Sequence, residues 1–313
     1  MQTYPEAEYV GDQEREYGDT FINKFNTWRN GHSLKKPHNR FLDRITIDML
    51  AGSNIPRSSV PLSAPSIEAM ANALLDFHHI HQDRREHQFW LGTICLGIGV
   101  CPIDDVNFDL KAFNRKIIKL MVQHRLHGVF RVEPVFVLPY IVGQPVMVSF
   151  HAHLACWHIE EKLRPKKLPK AIMLLPSVSN PYGKAVDFKP CDMSARHIAG
   201  LGKYIFKLPR NVELLMPDPL QPGKFYMKKS REDFTPELIA RMVEILSHMP
   251  FYASVRGVGE GTEVRKAWKA AMVRWEKRHG LIEMPATADV TSAWYDLHRH
   301  RATPNWRSPS ILA

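Results

Sequence analysis

From Val146 to Cys156 the chain runs Val-Met-Val-Ser-Phe-His-Ala-His-Leu-Ala-Cys, an apolar strand broken by histidine at two alternate positions. Side chains alternate across a strand, so His151 and His153 share one face. Burying two imidazoles in so apolar a segment is costly unless each finds a partner. A fold that uses this strand must therefore set it inside a sheet and answer the histidines from that face. A metal ion held by both rings is one answer, and a pair of hydrogen-bonded core histidines is the other. The spacing recurs at His79-Ile80-His81 and His298-Arg299-His300. The first of these lies in a polar string that reads as a solvated helix end, where positions i and i+2 diverge by about 200°. The second lies in a basic tail and reads as surface.

The neighbouring segments supply the sheet. Phe89 to Val100 reads as a buried strand and Asp109 to His124 as an amphipathic helix with Leu110, Phe113, Ile117, Leu120 and Met121 on one face. Val129 to Leu138 and Val146 to Cys156 read as two strands joined by a turn near Gly143-Gln144-Pro145, and Lys184 to Phe188 as a short strand after a basic loop, Lys162 to Lys170. A helix capped by Ser194 and stopped by Pro209 follows. Strand, helix, strand, strand, strand, helix predicts an α+β fold: a central antiparallel sheet with flanking helices, of the split βαβ kind. Residues 1–86 read as a polar N-terminal arm with a helix from Ser66, and 87–210 as the sheet domain. Residues 211–313 read as turn-rich to about Lys228 and then as a basic, mainly helical region, with helices at Thr235 to Met249 and Glu263 to His279.

The helix after Ser194 carries Leu201-Gly202-Lys203-Tyr204-Ile205-Phe206-Lys207. Lys207 lies one turn from Tyr204, and Gly200 and Gly202 leave room beside the ring for backbone or substrate. An ordinary half-buried tyrosine on a packing helix explains the segment equally well by itself. A similar string around Tyr140, Val137 to Gly143, has Pro139 inside and Gly143 in place of the lysine, so spacing alone does not single out a site.

A histidine-hydrophobic-histidine strand followed by apolar-x-x-Tyr-apolar-x-Lys resembles the HUH endonuclease superfamily, and within it the single-tyrosine rolling-circle replication initiators. The resemblance spans Phe89 to Pro209. It implies an RRM-like sheet core, His151 and His153 as ligands of Mg²⁺ or Mn²⁺, and Tyr204 as nucleophile. It also implies a third, acidic ligand on the preceding strand, for which Glu133 is the candidate. Phe89 to Ile94 would fill the family's upstream strand motif. No tyrosine stands four residues from Tyr204, where Gly200 and Leu208 occur, so a tyrosine-pair enzyme does not fit. The implied reaction nicks and rejoins DNA through a 5′-phosphotyrosine link, with Lys207 lowering the phenol pKa or stabilising phosphorane charge. The implied partners are single-stranded or hairpin origin DNA, a host helicase and replication machinery. Two rivals remain: a DNA-binding replication or transposition protein of the same fold that does not nick, and an unrelated histidine-metal enzyme such as a small-molecule oxygenase.

Charge agrees with a polyanionic partner, since 42 Lys and Arg against 32 Asp and Glu leave a net charge of +10. Glu263 to His279 adds six basic residues around Trp268 and Trp275, read either as a core stripe under a solvated surface or as a phosphate-tracking face. Cys95, Cys101, Cys156 and Cys191 form no C-x-x-C pair, which fits a reducing cytoplasm rather than a disulfide framework. The sequence contains no G-x-x-x-x-G-K-[ST] loop, so an unwinding motor would have to be a separate partner. No apolar run is long enough to span a membrane, and no membrane association is expected.

Overall fold

A computed structural model describes residues 3–31, 59–81, 88–139, 145–158, 186–209, 211–217, 219–220, 225–233, 236–247, 249 and 251–278. The turn signals between Lys35 and Ser58, Tyr140, the Gly143-Gln144 turn, the Lys162 to Lys170 loop, His298, His300 and the C-terminal tail lie outside these residues.

Strand β1 (Trp90–Pro102), helix α3 (Leu110–Gln123), strand β2 (Leu126–Pro139) and strand β3 (Met147–His158) form the centre. The α3 helix starts where Asp109 accepts a hydrogen bond from the Ala112 N–H, and it buries the five apolar residues its periodicity marks. Strand β3 pairs antiparallel with both β1 and β2, so β1 and β2 run parallel with β3 between them. That is the split βαβ arrangement. Strand β4 (Val186–Pro190) extends the sheet antiparallel to β1 and leads into helix α4 (Ala195–Phe206), which has Ser194 at its N-cap.

The chain beyond Pro209 adds to the same sheet where turns and helices are expected from its composition. Strands β5 (Asn211–Pro217) and β6 (Phe225–Asp233) precede helix α5 (Pro236–Ser247), strand β7 (Val255–Val258) and helix α6 (Gly261–Arg278). The sheet is seven-stranded, in the order β4-β1-β3-β2-β5-β6 with β7 also paired to β2. It is antiparallel except at β2–β5, a departure from a purely antiparallel sheet. That pairing arises because β5 enters the sheet after α4 has crossed one face, so it need not reverse as a hairpin would.

The N-terminal segment is docked. Helix α1 (Pro5–Gly31) lies on helix α2 (Ser59–Ile80), with Ala7 and Val10 buried and the Tyr4 N–H donating to Asn72 at 2.9 Å. The α2 helix begins before Ser66 and takes Pro65 into its second turn.

Alternation along the strands splits the interior in two. Ile94, Val132, Phe150, Ala152 and Leu154 join α3 and α5 in one core. Phe89, Val129, Ala155 and Trp157 face the other, with α1, α2, α4 and α6. His151 and His153 share the parity of the second set and so point toward α4. Gly202 is what lets α4 approach: a Cβ there would lie 2.8 Å from the Ala71 N and 2.9 Å from the Ile67 O. The room that glycine leaves is filled by the α2 backbone. Trp268 is fully buried and Trp275, half-buried, packs against the same core, so the α6 tryptophans form a core stripe below exposed Lys266, Lys269, Arg274, Lys277 and Arg278.

Candidate metal centre and its tyrosine

Register brings the first three candidates together. Glu133 on β2 pairs with His151 on β3, and one rank along Arg131 pairs with His153, which pairs on its other side with Thr93 of β1. The Glu133 Oε1 lies 2.6 Å from His153 Nε2 and 3.3 Å from His151 Nε2. The two Nε2 atoms are 3.0 Å apart. A cation bonded to three ligands at ~2.1 Å in octahedral geometry needs neighbouring donors about 3.0 Å apart, and the three separations bracket that edge. Glu133, His151 and His153 are all buried and can hold a metal ion.

The other side of each ring is also fixed. His151 Nδ1 lies 3.3 Å from the Ser149 carbonyl oxygen, which takes its N–H and turns Nε2 toward the cage. His153 Nδ1 lies 3.3 Å from Thr93 Oγ1. Burial pushes the His153 imidazole down to about 4, against the pull of Glu133. Burial by itself would raise the Glu133 carboxyl, but His153 and His151 outweigh it and hold it well below the usual carboxylate range. At neutral pH the cage therefore offers a carboxylate and a neutral His153 ring, the forms a metal requires. Glu133 Oε2 is buried without a hydrogen-bond partner among the described residues, 4.0 Å from Arg131 Nη1. An orphaned carboxylate oxygen and converging imidazole nitrogens fit a cation. They do not say which one: two histidines and a carboxylate suit Mn²⁺ and Fe²⁺ as well as Mg²⁺.

Tyr204 reaches this cage. Its ring centroid is 4.1 Å from that of His153, and its hydroxyl hydrogen-bonds Thr93 Oγ1, the same oxygen that meets His153 Nδ1. Lys207 Nζ stands 4.7 Å over the Tyr204 ring. The lysine thus sits at the ring face, and burial pushes the phenol up to about 12, with Thr93 opposing and Glu133 and Asp187 adding to the rise. The cage, Tyr204 and Lys207 line one cavity of about 440 Å³, whose wall also includes Thr93, Asp187, Lys189 and Glu213.

Thr93 lies in the Phe89 to Ile94 segment that the resemblance assigns to a strand motif, but nothing in the sequence gives it a role, and Asp187 and Glu213 carry no motif signature. Thr93 becomes visible only once β1 is registered on β3, and Asp187 only once β4 is registered on Thr93. Of the two other histidine pairs, His298 and His300 lie outside the described residues, and His79 is exposed at the end of α2, away from the cage. Among the described residues no helix is long and apolar enough to cross a membrane. Set against known proteins, the chain matches no family model, no curated protein and no solved structure.

Proposed function

We propose that this protein is a metal-dependent enzyme that nicks and rejoins single-stranded DNA through Tyr204, in the manner of a rolling-circle replication initiator. The observation that carries the reading is the docking of Tyr204 against His153: the one tyrosine with a lysine a turn away packs on a ligand of the one metal cage among the described residues. A divalent ion in the cage would supply Lewis acidity toward a phosphate oxygen. The remaining work falls to side chains. Thr93 orients the phenol oxygen. Tyr204 Oη forms a bond to phosphorus and loses its proton; the P–O3′ bond breaks, and the departing 3′-oxygen takes up a proton. The product is a 5′-phosphotyrosine and a free 3′-hydroxyl, and reversal of the step rejoins the strand without another energy source. Lys207, at the ring face, faces the same cavity and can offset charge that develops on the phosphoryl oxygens. An overall charge of +10 favours the polyanionic substrate.

The test is incubation of the protein with randomised single-stranded oligonucleotides and Mn²⁺, scoring adducts that survive detergent. Wild type should form them; Tyr204→Phe should form none while retaining the metal. Adducts that persist in Tyr204→Phe would remove Tyr204 as the nucleophile.

One observation favours a second reading. Two histidines and one carboxylate on one face are also the donor set of mononuclear iron oxygenases. Oxygen consumption by Fe²⁺-loaded protein, with no DNA adduct under any divalent metal, would select it.

A further inference from the structure

We infer that the N-terminal helix is a working part of this site, with Glu14 and Tyr17 of α1 as positioning residues that hold the end of the tyrosine helix over the cage. The inference rests on the reading of Tyr204 as the nucleophile. The α4 helix ends at Phe206, and Lys207 leaves it in an extended conformation (φ −53°, ψ 142°), so no left-handed cap closes it. Its terminal groups must find partners elsewhere.

They find them on helices outside the sheet domain. Glu14 Oε1 accepts the Leu208 N–H at 2.5 Å, and the Tyr17 hydroxyl donates to the Pro209 carbonyl at 3.1 Å. Lys203 Nζ donates to Gln13 Oε1 at 2.6 Å. Ser63 of α2 donates to the Phe206 carbonyl at 2.7 Å, and its hydroxyl lies 3.5 Å from the same Glu14 oxygen. From the sheet side, Arg131 Nη1 donates to the Ile205 carbonyl at 3.5 Å. The backbone on both sides of Lys207 is thus fixed from without, and Lys207 itself stands over Tyr204. Glu14 is 1 % exposed. A carboxylate buried that deeply is expensive to keep unless it serves a bond that a neutral packing residue would not make. Displacing a reacting group by about 1 Å is enough to slow a reaction ~100-fold, so slack in this segment should be felt at Tyr204 and not at the cage, which is built on β2 and β3.

The experiment uses the full chain with Glu14→Leu, which removes the acceptor, and Glu14→Gln, whose amide carbonyl can still accept the Leu208 N–H. Three quantities are read: hydrogen exchange over 203–209, Mn²⁺ affinity, and the single-turnover rate of adduct formation. In Glu14→Leu, exchange over 203–209 should rise at least ~10-fold and the adduct rate fall ~30- to 100-fold, with Mn²⁺ affinity within about 2-fold of wild type. Glu14→Gln should recover most of both losses. Unchanged exchange in Glu14→Leu, or a loss of Mn²⁺ affinity as large as the loss of rate, would overturn the inference. Should Glu14→Leu fail to fold, Tyr17→Phe removes one bond without touching the buried carboxylate, and a rate equal to wild type would count against the clamp. If wild type forms no adduct at all, the nicking reading fails, while exchange over 203–209 still decides whether α1 holds the helix end.

Discussion

Glu133 does two jobs that one pair of substitutions can separate. Its carboxylate is the anionic corner of the cage and also the nearest counter-charge to Arg131, at 4.0 Å, with both side chains about 5 % exposed or less. Removing one partner of so buried a pair costs ~3–5 kcal/mol, because the other charge is left stranded. Glu133→Gln should therefore lower the unfolding free energy of the metal-free protein by about that much. Replacing both residues, as Glu133→Gln with Arg131→Met, removes the stranded charge and should return the metal-free protein to within about 1 kcal/mol of wild type. Metal response should behave differently. At a hundredfold excess of Mn²⁺ over its Kd, binding to the folded state adds ~2.7 kcal/mol, worth about 4–8 °C in Tm for a chain of this size. Wild type should show that shift; neither the single nor the double variant should. Urea titration with and without Mn²⁺ supplies the free energies, and thermal melts supply the Tm shift. A single variant as stable as wild type, or one that keeps the Mn²⁺ shift, would refute the shared role of Glu133.

Two further outcomes follow from packing and burial. Gly202→Ala puts a Cβ 2.8 Å from the Ala71 backbone and should destabilise by ~1–3 kcal/mol in urea, whereas Gly200→Ala meets nothing within 4 Å and should stabilise by ~0.5–1 kcal/mol through helix propensity. Tyr204 has its phenol pushed up to about 12 by burial, against ~10 in the unfolded chain. The folded state holds that proton more tightly, so the contribution is full below pH ~10 and is lost between ~10 and 12. Stability measured across that window should fall more steeply for wild type than for Tyr204→Phe, and equal slopes would contradict the burial of the hydroxyl.

What could be read from the chain and what could not divides along one line. The apolar face of α3 was legible because five residues at helical spacing commit it to one side, and β3 because a strongly apolar run flanks its histidines. Strand β6 was not, because an edge strand written Phe-Tyr-Met-Lys-Lys-Ser-Arg-Glu-Asp needs only backbone pairing with β5 and carries no alternation. Helix α1 read as a loose polar arm because its buried side is built from Ala7, Gly11 and Glu14 with few large apolar residues, and its attachment is by hydrogen bonds to residues some 70 to 190 positions away. In the site, His151 and His153 were legible as a pair on one strand face, and Glu133 followed from the resemblance as the acidic residue of the preceding strand. Thr93 was not, since a threonine in a strand is ordinary until pairing sets it beside His153.

The position of the site within the sheet follows from the same alternation. Along β3 the residues facing α4 change from Trp157 and Ala155, packed in the second core, to His153 and His151 in the cage, without any change of strand geometry. The polar cluster thus occupies space that an apolar core would otherwise fill, and it is held there by two opposed demands. Glu133 is kept charged at that depth by His153 and His151, with Arg131 4.0 Å away, and Arg131 in turn lies by the Phe206 and Phe251 rings at 5.4 and 5.8 Å. Because Phe206 is the last residue of the tyrosine helix, the group that balances the cage is the same group on which that helix end rests. The stability lost to a buried polar cluster is the cost of holding Glu133, His151, His153 and Tyr204 in one frame.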